Sequence, residues 1–180
     1  MILRAQRGER VAQRHLVRSH ERRVFALLSR VLRRRSSRET VEDLAQETFL
    51  RVFRALGRFD CDGPAQFSTW VLRIASNLAI DELRRRQLQV TPLNEEVSNP
   101  AGSLSADTHA ERRALATAVE RAVADLSPPL RVAFVLRVYH DLEYAQIAET
   151  LDLDVGTVKS RLSRARAKLK QALAELRDGE

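Results

Sequence analysis

Apolar residues recur at helical spacing in segment after segment of this chain, with breaks between the segments. Val24, Leu27, Leu28, Val31 and Leu32 fall at i, i+3, i+4, i+7 and i+8. Val41, Leu44, Ala45, Thr48, Phe49, Val52, Phe53 and Leu56 repeat the pattern over a longer run. A strand would bury alternate residues, so this period commits both segments to amphipathic helix. Thr40 with Asp43 three residues on reads as an N-cap pair for the second helix. Gly57 and then Asp62-Gly63-Pro64 end it. A third helix is predicted from about Ser68 to Gln87, with Val71, Ile74, Ala75 and Leu78 in its core arc and Leu83 at the edge.

Further along, Leu115, Ala118, Val119, Ala122, Val123 and Leu126 make another inward stripe. Ser127-Pro128-Pro129 stops that helix and starts the next, with Ser as cap and Pro in the first helical turn. Leu130, Ala133, Phe134 and Val138 follow as its inward set, and two last helices are predicted at about 144–151 and 156–176. Six Gly and five Pro leave little punctuation for an all-β fold with many tight turns. The predicted class is all-α.

Charge divides the chain. Residues 1–40 hold 12 Arg and 3 acids, whereas residues 87–111 hold no Lys or Arg and four acids, Glu95, Glu96, Asp107 and Glu111. That second stretch, with two Pro, a Gly and several Ser, carries no sustained apolar period and reads as a linker. The organisation expected is two small helical domains, 1–87 and 113–180, joined by a flexible acidic linker at 88–112. The formal charge of the whole is +7, which favours polyanionic partners. No apolar run approaches the ~20 residues that span a bilayer, and the Arg-studded start lacks the apolar core of a signal peptide. A single cysteine, Cys61, excludes a disulfide framework and a multi-cysteine zinc site. The expectation is a cytoplasmic protein with no direct membrane insertion.

The segment YAQIAETLDLDVGTVKSRLSRARAKL has helix-turn-helix spacing. Its first helix turns Ile147, Ala148 and Leu151 inward; a turn from Asp152 to Val155 contributes Leu153. The second buries Val158, Leu162, Ala165 and Leu169. Projected at 100° per residue, the opposite face carries the small residues Ser160, Ser163 and Ala167. Lys159, Arg166 and Lys170 flank them on one side, and Arg161, Arg164 and Lys168 on the other. No acid falls between Gly156 and Leu173. Small residues let a helix sit deep in a major groove while flanking cations meet its phosphate walls. A solvated basic surface helix usually intersperses Glu, which this one does not.

The third helix projects differently, with Trp70, Arg73, Asn77 and Arg84 on one face and Asp81 beside them. An aromatic ring, guanidinium groups and an amide suit unstacked bases better than a closed duplex. The competing reading makes Trp70, the only tryptophan, a plain core residue. On the second helix Asp43, Gln46, Glu47 and Leu50 share a face away from the core arc. A leucine among carboxylates on a basic domain has the character of a protein-binding spot. His15 and His20 are expected exposed and His140 at a turn. No catalytic constellation, metal-ligand spacing or phosphate-binding glycine loop is present, so no catalytic residue, metal or cofactor is assigned.

Together these segments resemble the two-domain extracytoplasmic-function (ECF) sigma factors of bacterial RNA polymerase. The resemblance covers about residues 10–87 and 113–173. It is carried by DLAQETFLRVFRALGRFD (43–60), FSTWVLRIASNLAIDELRRR (67–86), LSPPLRVAFVLRVYHDLEYAQIAETL (126–151) and VGTVKSRLSRARAKL (155–169). It implies that Asp43, Gln46, Glu47 and Leu50 dock on the clamp helices of the polymerase largest subunit. The C-terminal domain would meet the flap of the second largest. It implies that Trp70, Arg73, Asn77 and Arg84, with the 58–67 loop, melt and read the −10 element. Lys159, Ser160, Arg161, Ser163, Arg164 and Lys168 would read the −35 element. An anti-sigma factor is implied as a further partner, and no small-molecule substrate. In this family the helix-turn-helix turn commonly has Gly and then Pro where this chain has Asp152 and Asp154. The runner-up reading is a stand-alone dimeric helix-turn-helix regulator, which leaves the leucine patch and the tryptophan helix unused.

Overall fold

The computed structural model describes residues 1–33, 36–89 and 107–178. Among them the fold is all-α: α1 (Ile2–Gln6), α2 (Arg10–Leu32), α3 (Arg38–Ala55), α4 (Phe67–Gln89), α5 (Asp107–Ala124), α6 (Pro128–Tyr139), α7 (Tyr144–Leu151) and α8 (Val155–Asp178), with a 3-10 turn at Leu56–Arg58 after α3. The predicted linker, with Glu95 and Glu96, lies mostly outside the described residues. At its edges α4 runs on to Gln89 and α5 already begins at Asp107.

Helices α2, α3 and α4 pack on one another, and α1 lies against α2. Gln6 anchors α1 by donating from Nε2 to the carbonyls of Leu56 and Phe59, at 2.9 and 2.8 Å. The N-cap of α3 is Ser37, not Thr40: Ser37 Oγ accepts from the Thr40 amide, which places Asp43 inside the helix. The α2 and α3 stripes bury Val24, Leu27, Leu28, Val31, Leu32, Val41, Thr48, Val52 and Leu56. Residue His20, expected exposed, is half-buried with its ring edge-on to Phe67 at 5.2 Å.

The second group is α5 to α8. Pro128 opens α6, although the Ser127 hydroxyl makes no cap bond. A reciprocal capping box between Glu143 and Gln146 starts α7. Leu115 and Val138, predicted inward, are exposed.

The two groups form one body. Helices α6 and α7 pack on α4, α6 packs on α2, and one apolar core runs from Val24 and Leu72 through Leu136 to Ile147 and Leu162. A smaller core of Ala122, Val123, Leu126, Leu130, Ala165 and Leu169 holds α5 to α8. Arg131 lies at the junction, 1% exposed. Its guanidinium donates to the carbonyl of Val31 across the junction at 2.9 Å, and to those of Leu126 and Ala124 within its own half.

Candidate nucleic-acid and polymerase interfaces

Helix α8 buries one side and exposes the other. Val158, Leu162, Ala165 and Leu169 are buried, while Lys159, Ser160, Ser163, Arg164 and Lys168 are exposed. Arg164 folds back on its own helix, with Nε and a terminal nitrogen each 3.3 Å from the Ser160 carbonyl and hydroxyl. Arg161 departs from the projection. It is half-buried, and its guanidinium pKa is lowered by burial and by the nearby charges of Arg164 and Arg84. One −35 candidate and one −10 candidate are thereby brought close to each other from opposite halves of the chain.

The turn before α8 accounts for both acidic residues. Asp152 adopts φ 56° and ψ 53°, the left-handed geometry that closes α7, a position where Gly is least strained and Asp is tolerated. Asp154 caps α8. Its carboxylate accepts from the Thr157 amide at 2.7 Å and from the Thr157 hydroxyl at 2.5 Å. These bonds hold its pKa below the usual carboxylate range. A Cβ at Gly156 would stand 2.9 Å from the Asp154 Oδ1, so any larger residue there displaces the capping carboxylate.

On α4, Asn77 and Arg84 are exposed, whereas Trp70 and Arg73 are half-buried. Trp70 belongs to an aromatic cluster, its ring centroid 5.1 Å from Phe59 and 5.6 Å from Phe67, and keeps one side open. Of the run Arg84-Arg85-Arg86, the last two hydrogen-bond Glu82 at 3.0 and 2.6 Å. Burial pushes the Glu82 carboxyl up, but the bonds from Arg86 and Arg85 outweigh it and leave the pKa lowered. Arg84 is exposed and takes no part in that cluster. Arg73 meets Asp152 of the helix-turn-helix turn at 2.8 Å.

More of α4 is covered than its periodicity indicates. Beyond Val71, Ala75 and Leu78, a second stripe of Thr69, Leu72, Ser76, Ala79 and Leu83 is buried. Helices α2, α3, α6 and α7 all pack on α4, and Arg73 beside the stripe pairs with Asp152 at the end of α7. Arg30 above the Tyr139 ring at 4.4 Å and Arg33 paired with Glu120 at 2.9 Å add cationic contacts at the same junction. Neither Asp152 nor Arg131 stands out in the sequence as a junction residue.

The patch on α3 is assembled much as projected. Asp43 and Gln46 are exposed, and Leu50 keeps 52% of its surface in solvent. Glu47 is tied to Arg51 at 2.7 Å. Beside this patch a groove of about 410 Å³ runs between α2 and α3, lined by Val17, Phe25, Ala45, Gln46 and Phe49. Phe25, 39% exposed, is an apolar element of that surface which the stripe on its helix conceals. Among the described residues no helix is long and apolar enough to cross a membrane.

Comparison with known proteins fits both halves. Residues 16–89 match the family described as Sigma-70 region 2, and residues 116–169 match Sigma-70, region 4. Of the curated relatives, the chain spans 61% of the length of one and 95% of another. The latter is the ECF RNA polymerase sigma-E factor of Haemophilus influenzae, 33% identical over 187 residues and 98% of this chain. The solved structure of CnrH in complex with the cytosolic domain of CnrY is similar at 28% identity and TM-score 0.69. That likeness covers 96% of this chain and 94% of CnrH. The fold is shared with the sigma factor RpoE of Bartonella quintana, solved with the anti-sigma factor NepR, at TM-score 0.65 and 22% identity. It covers 89% of this chain and 96% of that one. Because matches fall on the tryptophan-bearing half as well as the helix-turn-helix half, the stand-alone regulator reading gives way, and the chain belongs to the extracytoplasmic-function sigma factors.

Proposed function

We propose that this sigma factor docks on the clamp helices of core RNA polymerase through Asp43, Gln46 and Leu50 on α3, with Glu47 held by Arg51 at the edge. The exposed basic face of α8 reads −35 duplex through Lys159, Ser160, Ser163, Arg164 and Lys168, with Arg161 joining once the halves separate. Trp70, Arg73, Asn77 and Arg84 on α4 hold the unstacked −10 strand. The chain works in the cytoplasm and is not an enzyme. Strand opening is driven by capture of bases on an aromatic and amide surface rather than by bond chemistry.

The observation that carries this reading is α8: a buried apolar side opposite a face of small residues and exposed cations, with no acid between Gly156 and Leu173. A helix of that shape enters a major groove without desolvating a carboxylate. Two promoter elements two duplex turns apart lie ~70 Å from one another. In the structure α4 and α7 touch. Both elements are therefore engaged only after the halves part; the 17 residues between α4 and α5 reach ~60 Å when extended, and the lengths of the helices on either side add to that span. An anti-sigma factor is the second partner proposed, as NepR is for its own sigma factor.

The test is transcription from a promoter library by purified core polymerase with and without this chain. Discrete start sites that need both components establish the reading and deliver the −10 and −35 sequences. Absence of core-dependent initiation refutes it.

A further inference from the structure

We propose that Asp152 is an internal stand-in for a DNA phosphate: in the free chain its carboxylate occupies Arg73, and the helix-turn-helix turn thereby competes with the −10 strand for the same guanidinium. The inference rests on the −10 assignment of α4 and goes beyond it.

Arg73 and Asp152 lie 79 positions apart in the sequence and meet at 2.8 Å, with 41% and 76% of their side chains exposed. A carboxylate oxygen at that distance offers a guanidinium what a phosphate oxygen offers, a charge-assisted acceptor in the same short range. Asp152 Oδ2 sits against Arg73 Nη2 and offsets its charge, so a phosphate approaching this guanidinium meets a carboxylate beside it. The stripe beside Arg73 shows the same competition in its packing. Thr69, Leu72, Ser76 and Ala79 are buried, and among the described residues the Ser76 hydroxyl has no hydrogen-bond partner. A surface made only for a permanent core would pair or replace that hydroxyl, because an unmet buried polar group is costly. The like charges of Arg84 and Arg161, which act on each other from opposite halves, add no attraction to the junction.

The experiment compares Asp152→Asn with the natural chain, since Asn tolerates the left-handed turn and removes only the charge. Three readouts are taken. Dyes on Glu39 and Lys170, both exposed, in a Cys61→Ser background report the separation of the halves by energy transfer. Anisotropy reports binding of the non-template −10 oligonucleotide of a promoter mapped in the transcription assay, with the free chain and with saturating core polymerase. The expected result is an open-to-closed ratio raised about 1.4- to 5-fold, the range of an exposed ion pair. Free-chain affinity for the oligonucleotide rises with it, the holoenzyme is unchanged, and no further gain appears in an Arg73→Ala background. Two results overturn the proposal. A gain that persists in Arg73→Ala, or that is equally large in the holoenzyme, makes Asp152 a general repulsive charge near DNA. No change in either free-chain readout removes the competition altogether. Failure of the −10 assignment itself would show separately, as a natural holoenzyme that ignores the oligonucleotide.

Discussion

Truncating Leu50 to Ala measures how much of the polymerase interface rests on α3. Leu50 sits on the outer face of its helix, so truncation there opens no cavity, and 52% of the residue is still in contact with water. Burying a whole leucine side chain contributes about 1.5–3 kcal/mol. Roughly half of that is left to gain on docking, about 0.8–1.5 kcal/mol, which converts to a ~4- to 13-fold weaker affinity for core polymerase. Stability should hold within about 0.5 kcal/mol, because an outward residue away from caps and core seldom matters more. Asp43→Arg probes the same patch through charge rather than area. Reversing a rim charge slows association and alters its salt dependence more than it hastens dissociation. Titration of labelled core polymerase by fluorescence, with thermal melts of the free variants, gives both numbers. An affinity for core unchanged within two-fold in Leu50→Ala, together with an unaltered association rate in Asp43→Arg, would remove α3 from the interface.

Three other expectations follow from the geometry. Asn77→Ala should slow open-complex formation more than closed-complex binding, read by permanganate reactivity of melted thymines; equal effects on both steps would deny Asn77 a role in base capture. Asp154→Ala should lower the melting temperature of the helix-turn-helix half. Because the Thr157 bonds depress the folded carboxyl pKa, that contribution is full above the ordinary carboxylate range and fades as pH falls through the folded value. The natural chain should therefore lose its advantage over the variant in acid, and an advantage independent of pH would refute the cap. His140 is held neutral, its pKa lowered to about 4 by burial and by Arg23 and Arg30 of α2. The unfolded imidazole binds a proton more readily, so closure of the halves should weaken as pH falls from about 6.5 toward 4. Energy transfer across the junction should follow that decline in the natural chain and not in His140→Gln; identical profiles would exclude the imidazole.

The elements of this fold were legible because each helix has one side that is always buried. In α8, Val158, Leu162, Ala165 and Leu169 are buried and Lys159, Arg164 and Lys168 opposite are exposed, so a projection recovers both faces apart from the half-buried Arg161. The α3 patch was legible for the same reason, with Leu50 standing outside its core arc. The cap of α3 was misplaced by a few residues because Ser37 and Thr40 are both competent acceptors, and local sequence does not rank them. Arg131 gave no signal either. Its burial depends on carbonyls at the α2 end and the α5 end, partners that periodicity along α6 cannot reveal.

The second stripe of α4 was hidden for a more informative reason. A face that is covered in the closed chain and uncovered on a promoter has to tolerate both environments. Strong apolar character would fix it shut and leave a sticky surface when open; strong charge would prevent closure. What the sequence places there is Thr69, Leu72, Ser76, Ala79 and Leu83, a mix of small, weakly polar and aliphatic residues, bordered by an Arg73 that pairs with the Asp152 carboxylate. Hydrophobic periodicity detects surfaces with one fate, since burial selects the residue type only where burial is permanent. The Ser76 hydroxyl, buried without a hydrogen-bond partner among the described residues, costs the closed state some stability. Replacing Ser76 with a residue of pure core character would, on this argument, favour closure at the expense of promoter use, because the gain would accrue to only one of the two states the surface must serve.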